Sequence, residues 1–124
     1  ALSSSSPRLS LSPAPAAFAL AHFNVDWPGW ARDGFFSEFV PQLYTASSAD
    51  FDKELVDAIT AMPDNSTNLA AGVRVDGSGQ PTAWAEVGVM LDIAASAGVG
   101  VAIWYAEGIL NLYPSEFKAR WTSV

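Results

Sequence analysis

Short apolar runs alternate along this chain with longer stretches in which apolar residues recur every three or four positions. Four runs stand out: residues 7–13 (PRLSLSP), 39–45 (FVPQLYT), 68–75 (NLAAGVRV) and 99–105 (VGVAIWY). A near-continuous apolar run is what a parallel strand buried on both faces requires, because side chains on both sides of the pleat meet other side chains. Between the runs the period changes. Phe51, Leu55 and Ile59 repeat every four residues with Val56 beside them, which predicts a helix ending near Met62 with one apolar face. Val87, Met90, Leu91 and Ala94 predict a second such helix over 83–97, and Gly98 stops it as a left-handed cap. The resulting order, strand then helix four times over, describes an α/β chain forming a parallel (β/α) half-barrel.

The remaining segments fit around this frame. Residues 1–7 form a Ser-rich lead expected to be flexible, and 8–124 a single domain. The alternation over 8–12 is strand-like, and Pro13 and Pro15 end it, so 14–23 is expected to be a long loop with at most a helical turn. Asp26 is placed to cap a short helix, WPGWARDG, in which Pro28 sits at an early position and Gly34 marks the end. Residues 46–50 offer caps for the Phe51 helix. The cluster 76–81 (DGSGQP) is a turn, and 115–121 a terminal helix.

Composition narrows the function. Six Lys and Arg stand against thirteen Asp and Glu, a net charge of −7, and no basic run interleaves with aromatics, which argues against nucleic-acid binding. No apolar run approaches the length needed to cross a bilayer. The sequence has no cysteine, so neither disulfides nor thiol chemistry arise within it. Five Trp, seven Phe and three Tyr are many aromatics for a chain so low in charge, and flat rings serve both packing and ligand stacking. Asn65-Ser66-Thr67 fits the N-glycosylation pattern in a turn-rich segment. The start, ALSSSSP, lacks a basic residue followed by an apolar stretch; it reads as a mature or cut end, and the expected location is extracellular or secreted.

Four segments carry a resemblance: LSLSP, DWPGWARDGFFSEFVPQLYT, LAAGVRV and GVGVAIWYAEG. Together they resemble the C-terminal half of glycoside hydrolase-like family 10 proteins and, more distantly, the chitinase-like family 18 glycoside hydrolases. The resemblance spans residues 8–110 and implies strands five to eight of a (β/α)8 TIM barrel. It implies binding or hydrolysis of polysaccharide, no cofactor, and a second chain or copy that completes the barrel. The departure is equally informative. In the family 18 relatives the acid that protonates the glycosidic oxygen ends strand four, and this sequence holds no D-x-x-D-x-D-x-E run. The implied hydrolysis therefore needs an acid from a missing N-terminal half; the alternative is a non-catalytic structural or carbohydrate-binding subunit of a larger assembly.

The candidate site residues follow from strand ends and from the resemblance. Gln42 and Tyr44 lie two apart, so a strand turns both to the same side. In the relatives the equivalent pair touches the sugar or its acetamido group, whereas Tyr44 in a purely structural role packs inside the barrel. Trp104 ends the last strand where the relatives carry a tryptophan under the sugar; core filling is the other reading. Glu107 and Tyr44 are the candidate catalytic groups, Glu107 being otherwise a cap or a solvated carboxylate. Arg74, near the end of the third strand, needs a carboxylate or a ligand in such apolar company. Asp26, Trp27 and Trp30 either line the mouth of the site or anchor their loop. His22, the single histidine, has no companion with which to build a metal site or a nucleophilic triad.

Overall fold

The computed structural model of the protein describes residues 7–63, 68–77 and 79–122. It is a mixed α/β structure. Strand β1 (Ser10–Leu11) is followed by α1 (Ala16–Phe23) and α2 (Trp27–Asp33), then β2 (Glu38–Phe39), α3 (Ser48–Ala61), β3 (Ala70–Arg74), α4 (Trp84–Ser96), β4 (Gly100–Trp104), a π-helical turn (Gly108–Leu112) and α5 (Pro114–Thr122). The strands form two small parallel sheets, β1 with β2 and β3 with β4. Parallel bridges Phe39↔Leu69 and Gln42↔Gly72 join β2 to β3, so the strands run 1-2-3-4 in sequence order.

Why the ladder thins at β2 is a matter of donors. Pro41 has no N–H to give, and Val40 N–H donates to Leu11 O at 2.8 Å while Gln42 N–H donates to Pro13 O at 2.8 Å. Pairing to β1 thus continues past the regular strand, one bond at a time.

Side-chain alternation divides the sheet into two faces. Leu43, Ala71 and Val73 are buried against Phe51 and Leu55 of α3 and Met90 and Ala94 of α4, with Val101 and Ile103 packed on the same core. A second cluster joins Ala19, Trp27, Phe39, Ala58 and Met62, and a third joins Val75, Val87, Leu91 and Phe117. On β4 the opposite residues, Gly100, Ala102 and Trp104, are exposed. The helices therefore cover one face of the ladder, and at β4 the other face is bare.

Most helix ends follow from local chemistry. Asp26 caps α2 by accepting from Gly29 N–H, and Gly34 closes it in the left-handed region. Ser47 caps α3, one turn earlier than the apolar repeat alone marks, and Val56, expected on the apolar face, is exposed. All four residues predicted for the buried side of α4 are buried. The expected loop over 14–23 is instead α1: Pro15 occupies the cap position, where its missing N–H is not needed, and its carbonyl accepts from Ala19 N–H at 2.8 Å. No described helix is long and apolar enough to cross a membrane.

Candidate functional site

The segment that follows β2, bridged to β3 at Gln42↔Gly72, lies beside the C-terminal ends of β3 and β4, and two aromatic rings meet there. Tyr44 and Trp104 stack with ring centroids 6.0 Å apart at 27° between planes, and Tyr105 lies 5.7 Å from Trp104. Trp104 is 48% exposed, while Tyr44 is half-buried, and that burial pushes its hydroxyl pKa above the ordinary tyrosine value. One ring of the pair is thus sheltered and the other open to a ligand.

Two glycines seat these rings. A Cβ on Gly72 would lie 3.2 Å from Tyr44 Cε1 and 2.8 Å from Pro41 O, so a bare backbone lets the tyrosine lie across β3. Gly77, at φ +116°, would place a Cβ 2.7 Å from Trp104 Nε1. The turn after β3 therefore presses directly on the indole, and both its φ and its lack of side chain are used. The backbone beneath is pinned as well, since Trp104 O accepts from Val75 N–H at 2.7 Å and Asp76 N–H at 3.3 Å. The peptide joining Trp104 to Tyr105 is cis.

Arg74 lies level with Trp104 in the β3–β4 register. Its guanidinium Nη2 donates to Gln80 O at 3.5 Å, and its carbonyl accepts from Thr82 Oγ1 at 2.8 Å, so the strand end and the following turn are tied together. Glu107 is half-buried three residues beyond Trp104, at the start of the π-helical turn. That turn sits close because Gly108 packs against Val75; a Cβ there would fall 2.5 Å from Val75 Cγ1.

No family model, no curated protein and no solved structure matches this chain.

The other sequence candidates are engaged in other contacts. Gln42 donates through Nε2 to Ser12 O at 2.9 Å, which draws its amide toward β1, and it lines a groove of about 420 Å³ with Leu11, Pro13, Phe23 and Trp30. Trp27 is fully buried, stacked on Phe39 at 5.7 Å and donating its indole N–H to Ala14 O. It belongs to the core on the helical face. Asp26 serves as the α2 cap, with Arg32 4.0 Å away, and Trp30 stacks on Phe36. The structure does not bring these three residues to the Tyr44–Trp104 pair. Asn65 lies outside the described residues. Among the described residues, no three His, Cys, Asp or Glu side chains gather in a way that would hold a metal.

Sequence reasoning passed over Gly72, Gly77 and Tyr105. Gly77 carries a readable signal, a glycine shortly past a strand end, but a turn glycine and a glycine under an indole look alike in sequence.

Proposed function

We propose that the Tyr44–Trp104 pair is a sugar-stacking platform at the ligand end of a glycoside hydrolase-like (β/α) half-barrel, equivalent to strands five to eight of a TIM barrel. Its ligand is a polysaccharide or oligosaccharide. The observation that carries this reading is a half-exposed indole backed by a tyrosine at the carboxyl ends of parallel strands, where such folds bind ligands. The apolar face of a pyranose lies flat on such a ring, and Arg74, level with Trp104 in the register, brings hydrogen-bond donors to the same strand end.

Glycosidic hydrolysis at this platform uses two carboxyl groups flanking the scissile bond. Glu107 is the candidate from this chain, and the protonating acid comes from the complementary half of the barrel. Without that half the chain acts as a carbohydrate-binding subunit, a reading favoured by the missing carboxylate ladder in the sequence. An extracellular or secreted setting suits either role.

The test is glycan-array screening followed by calorimetry with the best oligosaccharide. Aromatic stacking is worth about 0.5–1.5 kcal/mol beyond area burial, so Trp104→Ala weakens binding by up to roughly tenfold, and Tyr44→Phe by less. Absence of glycan binding, or binding indifferent to Trp104→Ala in a folded protein, refutes the platform.

A further inference from the structure

We infer that a second copy of this chain closes the sheet, with the β4 edge of each copy lying parallel to the β1 edge of the other about a twofold axis. The inference rests on the half-barrel reading above and names the partner that completes it; because a second copy brings no protonating acid of its own, it goes with the carbohydrate-binding role. Three features point to it. First, among the described residues β1 pairs only with β2 and β4 only with β3, so the four-stranded ladder ends in two open parallel edges. Parallel sheets are ordinarily covered on both faces, and open edges invite pairing. A twofold axis along the strands keeps every strand pointing the same way, so one copy satisfies both edges of the other and the assembly stops at two.

Second, each open edge has a groove beside it. At the β1 edge, the 420 Å³ groove runs past Leu11, Pro13 and Phe23. At the β4 edge, a groove of about 530 Å³ runs past Val99, Gly100, Val101 and Trp121. The two grooves lie at opposite ends of one ladder, between the last strand and its neighbouring helix, where an incoming strand would run.

Third, apolar area outside the sugar platform is available for the contact. Leu9 beside β1, Phe18, Leu20 and Phe23 of α1 and Trp121 of α5 are between 47% and 63% exposed. An aromatic side chain buries ~150–250 Å² when covered, so the three rings alone offer roughly 300 Å². The two leucines and the two strand edges add to this toward the ~800 Å² per partner typical of a stable interface. Closure also brings both Tyr44–Trp104 pairs to one mouth, so each copy contributes rings to a shared site.

Sedimentation equilibrium of the full chain across micromolar concentrations tests this directly, with the dimer as the expected species. Ala102 is exposed in the single copy but faces the interior of the closed ring, so Ala102→Glu leaves the monomer folded by circular dichroism and raises the dimer dissociation constant at least about tenfold. Phe23→Ser, at the other edge, acts in the same direction and serves if the first variant does not fold. A chain that stays monomeric throughout the series overturns the inference. So does a dimer that neither substitution weakens, or growth beyond two copies. Failure to bind any glycan in a dimer that both substitutions disrupt refutes the sugar platform alone and leaves the closure standing.

Discussion

Gly72→Ala and Gly88→Ala are the same chemical change and should move stability in opposite directions. At Gly72 the new methyl would stand 2.8 Å from Pro41 O, 3.2 Å from Tyr44 Cε1 and 3.3 Å from Gln42 Cα. The tyrosine ring can swing aside, but the carbonyl cannot: it accepts from Gly72 N–H at 2.9 Å and from Leu43 N–H at 3.0 Å, and this bridge joins the two halves of the ladder. Relief therefore means pulling β2 from β3. Overpacking of this kind costs about 1–3 kcal/mol, so the expected loss is ~2 kcal/mol, a fall in melting temperature of roughly 5–10 °C for a domain of this size. At Gly88, within α4, a methyl would meet nothing within 4 Å. Alanine there removes chain freedom from the unfolded state and gains about 0.5–1 kcal/mol. Urea denaturation followed by tryptophan fluorescence measures both, with midpoints shifted to opposite sides of the parent. If Gly72→Ala is as stable as the parent, the close approach of β2 and β3 is misdescribed and the reasoning about the joint fails.

Two further outcomes separate structural from binding roles. Asp26→Ala loses the α2 cap, about 0.5–2 kcal/mol by urea titration, whereas Asp26→Asn retains most of it and neither changes the affinity of any glycan the chain binds; a selective loss of affinity would return Asp26 to the site. Glu86 accepts from Ser48 N–H at 2.6 Å, and this bond holds its carboxyl below the ordinary glutamate value. A lowered folded pKa gives stability that is present above the unfolded value and fades as pH falls through the folded one. Glu86→Gln should therefore be less stable than the parent at neutral pH, with the two converging in acid; parallel stability curves down to acid pH would show that the bond carries no charge-dependent stability.

Much of the architecture could be read from side-chain spacing. The buried side of α4, the Asp26 and Gly34 ends of α2 and the order of four strands all follow from short-range rules that the fold does not override. Helix α1 was hidden because two prolines within three residues read as breakers, whereas one of them is spent at a cap position. The π-helical turn at Gly108–Leu112 depends on a glycine meeting Val75, a contact between residues far apart in the chain that no local pattern encodes. Of the candidate site, Arg74 and Trp104 come together because they end the paired strands β3 and β4, and Tyr44 reaches Trp104 from the segment that follows β2 and bridges to β3 at Gln42↔Gly72. Trp27 does not, since a tryptophan sunk in a core and one offered to a ligand are the same letter, and only the packing of Phe39 against it tells them apart.

The sequential strand order bears on how the chain acquires its structure. Each strand lies beside the one made just before it, with a single helical crossover of about thirty residues between most pairs. As the polypeptide emerges from the ribosome, every new unit finds its docking surface already synthesised. No strand has to wait for a distant partner or thread between two that have paired. Each parallel pairing still closes a loop of about thirty residues, which slows it, so assembly proceeds unit by unit from the N-terminal side, and the nascent chain would present one fresh, unpaired edge at its growing end. Arrested chains ending after Met62 or after Ser96 should then resist protease over the units already docked, and the site at Trp104 should be the last region to become protected.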